Sequence, residues 1–148
     1  GRRWQVLEMP QAHTESDLVL WSAAEGVLLA GGLLDGRGLV LAQGSVNGWL
    51  QALVRIEALQ PRWLIGQHLV AGPGQVAPAI ARQRQALCTL VRRAWHGLER
   101  WQTETEALAE HPPEGPATGQ ERANLGRTWR EMEAMWLGGQ AMPAACHP

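Results

Sequence analysis

The chain contains no lysine, no phenylalanine and no tyrosine. All thirteen basic residues are arginine, and tryptophan, at eight positions, is the only large aromatic residue. This bias is typical of a GC-rich genome and does not by itself indicate a function. Tryptophan must then fill the large core positions that phenylalanine and tyrosine usually share, and its indole N–H needs a hydrogen-bond partner wherever it is buried.

A strong net charge and long apolar runs are also absent. The formal charge is −1 over 148 residues, whereas a general nucleic-acid binder normally carries a large basic excess. No apolar run approaches the roughly 18 residues that a membrane span needs. The first residues contain arginines without an apolar core behind them, which is not typical of a secretory signal. We therefore expect no nucleic-acid partner and no membrane partner, and the compartment, cytoplasmic or periplasmic, stays open.

Cysteine is scarce, and the common catalytic motifs are missing. Two cysteines, Cys88 and Cys146, are too few for a disulfide framework. Cys88 lies mid-helix on or near the apolar face and is interpreted as a core residue, while Cys146 falls in the tail. The chain has no P-loop, no dinucleotide-binding glycine fingerprint, no HExxH and no GxSxG.

The first 78 residues predict a β-rich region with one helix. Apolar runs predict strands over residues 3–7, 17–22, 27–30 and 63–65, and the second and the last of them are expected to be buried. Ser45 is a good N-cap for a helix that runs to about Leu59. Glycines at 31, 32, 36 and 38 predict a break in regular structure, and residues 66–78 predict a loop. The strand–helix–strand order favours an α/β architecture.

The second half of the chain predicts helices. One helix is expected from residue 79 to about 96, a break at Gly97, and a continuation over residues 98–110. The composition of residues 111–119 is typical of a linker, and a last helix is expected over residues 120–137. The chain thus divides into a β-rich region (1–78), a helical region (79–137) and an irregular tail (138–148).

Two of the five histidines stand apart from the others. His13 and His68 each lie in a loop beside a predicted strand, which is where α/β proteins often place ligands and catalytic groups. His96 near a helix end, His111 in the linker and His147 in the tail are interpreted as surface residues. Spacing alone leaves both a loop-packing role and a metal-ligating role open for His13 and His68.

Several segments together resemble the C-terminal half of the metallo-β-lactamase fold. In that superfamily a His-Thr loop precedes a strand, a hairpin ends in Gly-Asp, and a later strand ends in a Gly-His loop. The matching segments are residues 13–14, 17–20, 26–34, 48–53 and 61–69. The sequence is most similar to the branch of quinoprotein relay system zinc metallohydrolases, because Ala12 precedes the His-Thr pair, Gly48 opens a Gly-Trp-Leu helix start, and Asn124, Arg127, Glu131 and Glu133 form an Asn-x-x-Arg…Glu segment.

The resemblance implies half of an αββα sandwich and a metal-dependent hydrolase that holds one or two zinc ions. His13 matches a ligand of the first metal, and His68 matches a ligand of the second. The carboxylate that bridges both metals is missing, because Gly32 stands at its position. Asp35 lies three residues further on, and only a shifted loop would bring it near.

The ligand count limits what this chain does alone. The superfamily's His-x-His-x-Asp-His motif, which supplies most of the other ligands, has no counterpart here. A catalytic zinc needs about three protein ligands and a water, so we expect no tight zinc site in these residues. The chain is then either part of a longer hydrolase or a non-catalytic relative kept for binding or assembly.

Two expectations concern partners. The apolar strands of a half-sandwich need a covering layer, which predicts a homodimer or a missing N-terminal half.

A third hypothesis, outside the superfamily, is a helical interaction module in which Trp95, Trp101, Trp129 and Trp136 are exposed anchors. If the relay-system branch is right, the resemblance suggests a bacterial protein, with the periplasm as one possible compartment.

Overall fold

The computed structural model describes residues 1–41, 43–110 and 118–147. Five strands form one sheet in which the spatial order follows the chain order. The strands are β1 (Gln5–Pro10), β2 (Ser16–Ser22), β3 (Val27–Asp35), β4 (Trp63–Gln67) and β5 (Leu69–Ala71). The helices are α1 (Val46–Ala58), α2 (Val76–Glu99), α3 (Glu104–Glu110) and α4 (Thr118–Leu137). The predicted α/β class with a helical C-terminal region is confirmed.

Helix α1 connects the only parallel pair among the described strands. Strands β1, β2 and β3 form an antiparallel meander, β3 and β4 are parallel, and β5 returns antiparallel to β4. A parallel pair needs a crossover connection, and α1 supplies it. Ser45 caps this helix as expected, since its Oγ accepts a hydrogen bond from the Gly48 N–H at 2.9 Å.

The core lies between one face of the sheet and the helices. Trp21, Leu28, Leu64 and Ala71 stand opposite one another across four strands, and all four are buried. Helix α1 turns Trp49 into this core, where the indole N–H donates to the Leu33 carbonyl at 2.9 Å. The partner that a buried tryptophan requires is thus a backbone carbonyl of β3.

The opposite, outer face of the sheet is apolar as well. Strands β2 and β4 were both expected to be buried. In β4 only Leu64 is buried, while Trp63 and Ile65 are 43% and 40% exposed, and in β2 Leu18 and Leu20 are exposed as well. The prediction was wrong because an apolar run does not reveal how many faces of a strand are covered. Alternate residues of a strand point to opposite faces, so Trp63 and Ile65 lie on the face opposite to the buried Leu64.

Two glycines do not end β3 as expected. The strand continues through Gly31 and Gly32 to Asp35. Gly31 pairs with Gly66 and Asp35 with Gln67, so residues 32–34 form a bulge that has no counterpart on β4. Gly31 adopts a φ of +53°, which glycine tolerates at little cost. Glycine therefore permits an irregular strand here, not a turn.

The predicted loop over residues 66–78 contains regular structure at both ends. It includes β5 and the first turn of α2, which begins at Val76 rather than at residue 79. Pro78 lies in that first turn, where a missing N–H breaks no intrahelical hydrogen bond. Proline marks a helix beginning in this position, and the loop interpretation was too broad.

The C-terminal region differs from expectation in where its helices end. Helix α2 runs through Gly97, where a break was expected, and ends at Glu99. Trp101 takes a φ of +59°, so a turn and the short α3 replace the expected helix over 98–110. Residues 111–117 of the expected linker 111–119 lie outside the described residues. The tail contains a 3₁₀ helix, Ala144–Cys146, and Cys146 forms a disulfide with Cys88. The expectation of an irregular tail was therefore wrong for residues 144–146.

The tryptophan-anchor hypothesis is not supported by the burial of the helices. Trp95 and Trp129 are buried, Trp136 is partly buried, and Trp101 alone among the four is largely exposed. Trp95, Trp129 and Trp136 pack in the same core as the rest of the molecule. Within the described ranges, none of the helices combines the length and the apolar character that crossing a bilayer requires.

Candidate functional site

His13 lies in the loop between β1 and β2, and this loop is held from both sides. Its ring packs edge-on against the indole of Trp49 with the ring centroids 5.1 Å apart. Asp17 accepts hydrogen bonds from the Thr14 N–H at 2.9 Å and from the Thr14 hydroxyl at 3.0 Å. The same carboxylate lies 3.8 Å from Nδ1 of His13. The turn at His13 and Thr14 is therefore fixed, and it holds the imidazole of His13 beside the carboxylate of Asp17.

Gly32 faces the imidazole of His13. A Cβ atom on residue 32 would stand 2.9 Å from both Nδ1 and Cε1 of that ring. Gly32 does not have a positive φ, so its backbone conformation tolerates a side chain. A side chain at this position would instead have to displace the imidazole of His13. The structure thus brings together His13 and the position where the resemblance expects a bridging carboxylate.

His68 pairs with Asp35 at the end of β4. Nδ1 of His68 lies 3.2 Å from Oδ1 of Asp35, and His68 itself has a φ of +52°. Burial by itself would raise the pKa of Asp35, but hydrogen bonds from the Arg37 backbone N–H and from His68, together with their charges, hold it below its ordinary value. Asp35 does reach a histidine in this fold, because the bulge in β3 carries it past the end of the strand.

The described residues do not fit a zinc site by themselves. His13 has Asp17 beside it, and His68 has Asp35 beside it, which gives two pairs at the ends of neighbouring strands. No group of three or more His, Cys, Asp or Glu side chains able to hold a metal occurs in the described part of the chain. A catalytic zinc takes about three protein ligands, so each pair is one ligand short.

Helix α4 holds the connection between β3 and α1 through side chains of the Asn-x-x-Arg…Glu segment. The sequence pointed to these side chains only through the resemblance and gave them no structural role. Glu131 accepts hydrogen bonds from Ser45 Oγ at 2.7 Å, from the Val46 N–H at 2.9 Å and from the Asn47 N–H at 3.0 Å. The two backbone N–H groups belong to the first turn of α1 and have no partner within the helix. The helix dipole also favours a carboxylate at this end. Glu131 thus caps a helix from another element.

Asn124 and Arg127, two turns and one turn before Glu131, contact the same connection. Asn124 accepts from the Leu41 N–H and donates to the Leu39 carbonyl, both at 2.9 Å. Arg127 donates twice to the Gly44 carbonyl, at 3.0 and 2.8 Å. The three side chains form one stripe of α4, here called the α4 clamp.

The clamp also fixes the position of the His13 loop. The Ser45 N–H donates to the carbonyls of Gln11 and Ala12, at 3.0 and 3.1 Å. A Cβ on Gly44 would stand 1.8 Å from the Ala12 carbonyl oxygen, so only glycine permits this approach. Spacing along α4 could have identified the clamp as one helix face, but its partners some 85 residues away could not be found from one sequence.

Solved structures that superpose on this chain include an alkylsulfatase and a metallo-β-lactamase family protein. A stereoselective inverting sec-alkylsulfatase from a Pseudomonas species superposes with a TM-score of 0.67 and 19% identity, over 88% of this chain and 24% of its own. A metallo-β-lactamase family protein from Thermus thermophilus superposes with a TM-score of 0.65 and 21% identity, over 97% of this chain and 48% of its own. The chain therefore has the fold of part of a metallo-β-lactamase-type domain, helices included, and it spans less than half of either protein.

Sequence comparison adds no closer assignment. No protein-family profile matches the chain, and no curated protein matches it either. The predicted fold is confirmed, whereas the relay-system branch stays a prediction.

Proposed function

We propose that this chain is the C-terminal part of a metal-dependent hydrolase with the metallo-β-lactamase fold, and that it is not catalytically competent alone. The observation that carries the proposal is an apolar row on the outer face of the sheet. Its members stand opposite one another on all five strands: Val6, Leu20, Leu29, Ile65 and Val70. Four of them are 37–65% exposed, and in a sandwich such a face packs on a second sheet.

The size of this face supports a covering layer. Leu18 and Trp63 extend the row and are 62% and 43% exposed. Neighbouring strands lie about 4.8 Å apart, so the four intervals between five strands span roughly 19 Å. Contiguous apolar patches of more than a few hundred Å² are rare on soluble monomers and mark interfaces. In the complete protein we place the N-terminal half of the sandwich here; in the isolated chain a second copy takes its place and gives a homodimer.

The complete protein would also supply the missing ligands. The resemblance assigns His13 and His68 to different metals, and the described residues leave each of them short of a ligand set. A motif of the His-x-His-x-Asp-His kind in the other half would add nitrogen and oxygen ligands of the types that zinc accepts. The hydrolytic chemistry is therefore a property of both halves together.

A non-catalytic relative is the second candidate. Gly32 carries no ligand atom, and the imidazole of His13 already occupies the space beside it. A site that has lost its bridging carboxylate keeps the fold and loses much of its hold on a second metal. Binding or assembly through the outer face would then be the remaining function.

We place the protein in an oxidising compartment, the bacterial periplasm in the relay-system interpretation. Support comes from the disulfide between Cys88 and Cys146, which are 2% and 0% exposed. Structural disulfides persist in oxidising compartments and are rare in the cytosol. A buried bridge that closes a segment of 58 residues is of the structural kind.

The metal content of the longest natural chain that contains these 148 residues separates the two candidates. The hydrolase proposal expects bound zinc that falls by at least one equivalent in the His68→Ala and His13→Ala variants, with hydrolysis of a test ester lost in both. His96→Ala is the matched control, because His96 lies far along the chain at the end of α2. A folded long chain without stoichiometric metal contradicts the hydrolase and supports the non-catalytic relative.

A further inference from the structure

Two adjoining cavities form a groove along one side of α2. The first, about 360 Å³, lies beside His68, and the second, about 530 Å³, reaches Asn124 on α4. They share four lining residues, Asp35, Gly38, Leu39 and Ala86. We call the two together the α2 groove. Volumes of a few hundred Å³ are typical of small-molecule sites.

The wall of the α2 groove opposite α2 is fixed in place. The Asp35 carboxylate accepts from the Arg37 N–H at 2.9 Å, and the Gly36 N–H donates to the Gln67 carbonyl at 2.9 Å. Further along, the Asn124 amide holds the Leu39 carbonyl at 2.9 Å. The segment that forms this wall is therefore tied at its start to β4 and at its end to the α4 clamp, so the groove exists before any ligand binds.

The lining of the groove combines an apolar surface with a cation near His68. Leu39, Ala79, Ala86 and Leu90 supply the apolar surface, and the second cavity is also lined by Arg37, Arg93 and Glu121. Arg82 lies at the His68 end, is exposed, and has no acidic partner within the described residues. The carboxylate that lines the same cavity, Asp35, is occupied by His68 and by the Arg37 N–H. The His68 end therefore favours an anion.

A buried amide adds a second polar group at the same end. Gln83 lines the first cavity and is 7% exposed, and its Nε2 has no hydrogen-bond partner in the described part of the chain. Buried polar donors are almost always paired. A hydrocarbon side chain of similar volume would pack here at lower cost, so the amide calls for a function.

We propose that the α2 groove binds a small molecule that combines an oxyanion with an apolar body. The oxyanion is held at the His68 end by Arg82 and Gln83, and the apolar body extends along α2 toward Leu90. The assignment of the α2 groove as the substrate pocket of the hydrolase rests on the proposed function. Binding itself needs neither metal nor the other half of the protein.

Calorimetric titration of the 148-residue chain with hexanoate and with hexyl sulfate tests the proposal. Both have an oxyanion and a short apolar body, and the tighter of the two identifies the head group. We expect saturable binding, at least tenfold weaker binding of acetate and of hexanol, and at least a tenfold loss in Arg82→Gln. Arg62→Gln is the matched control, because Arg62 is also an exposed arginine but lines a different cavity.

Two further variants exclude trivial explanations. Val70→Ser removes an apolar side chain of the outer sheet face, and we expect it to leave hexanoate affinity unchanged. Gln83→Leu should weaken binding while its melting temperature stays equal or rises, which a purely structural role of Gln83 would not produce.

The proposal is overturned by three results: no saturation, equal affinity for hexanoate and hexanol, or loss in Val70→Ser with retention in Arg82→Gln. Each of these leaves the metal experiment on the longer chain unaffected.

Discussion

The carboxylate of Glu131 on α4 accepts a hydrogen bond from the hydroxyl of Ser45 at 2.7 Å, and Ser45 in turn caps α1. One carboxylate thereby joins the C-terminal helical region to the start of the crossover helix. The His13 loop depends on the same contact, since the Ser45 N–H holds the carbonyls of Gln11 and Ala12. The helical region is thus part of the support for the candidate site.

Replacing this carboxylate should cost stability. In Glu131→Gln the charge at the α1 N-terminus is lost, and the amide offers one acceptor atom where the carboxylate offers two. Capping interactions of this kind contribute about 0.5–2 kcal/mol, and we expect the free energy of unfolding in urea to fall by about 1–2 kcal/mol. Glu133→Gln, an exposed neighbour on the same helix, should change it by less than about 0.5 kcal/mol. Equal losses in the two variants would show that Glu131 is not a cap.

The disulfide should stabilise the chain. It joins α2 to the C-terminal 3₁₀ helix and closes 58 residues. Bridges of this kind contribute about 2–4 kcal/mol, largely through the unfolded state, so reduction should lower the melting temperature by roughly 5–15 °C. The Cys88→Ser/Cys146→Ser double variant should melt at the reduced temperature and not respond to reductant. A free-thiol assay that finds two accessible thiols in the native chain would contradict the bridge.

Self-association of the isolated chain should depend on the outer face of the sheet. Ile65→Glu places a charge in the middle of the apolar row, and we expect light scattering to shift from dimer mass to monomer mass. Val54→Glu is the matched control, since Val54 is 52% exposed but lies on α1. A parent chain that is monodisperse near 16.2 kDa would contradict the prediction.

Much of the fold could be predicted from local sequence signals. The crossover helix follows from Ser45 and the apolar spacing after it, and both were found within one residue of the observed bounds. Strands β2 and β4 were placed close to their observed bounds, whereas β1 was placed too early and β5 was missed inside the predicted loop. Strand β3 was cut short, because glycine is read as a break when it can also permit a bulge. The exposure of Ile65 could not be predicted, since it depends on which layers cover the sheet.

The candidate site was predictable only in part. The proximity of His13 and Gly32 was expected only from the resemblance, and the structure brings them together because β3 passes beside the first hairpin loop. The pairing of Asp35 with His68 requires the three-residue bulge, which no pattern in a single sequence indicates. The α4 clamp joins residues more than 80 positions apart, so its partners emerge only from the folded chain.

The central claim, that these residues are one side of a metal site that lacks its bridging carboxylate, is tested most directly by zinc titration of Gly32→Asp. We expect the parent chain to lack a submicromolar zinc site, because its ligand pairs are incomplete. Residue 32 is outside the left-handed region, so aspartate is not strained there, although His13 must move away from its Cβ. The new carboxylate should raise zinc affinity at least tenfold, or about 1.4 kcal/mol, and His68→Ala in the same background should remove the gain. No gain in a folded Gly32→Asp variant would mean that the two histidines are not arranged around residue 32, which contradicts the account.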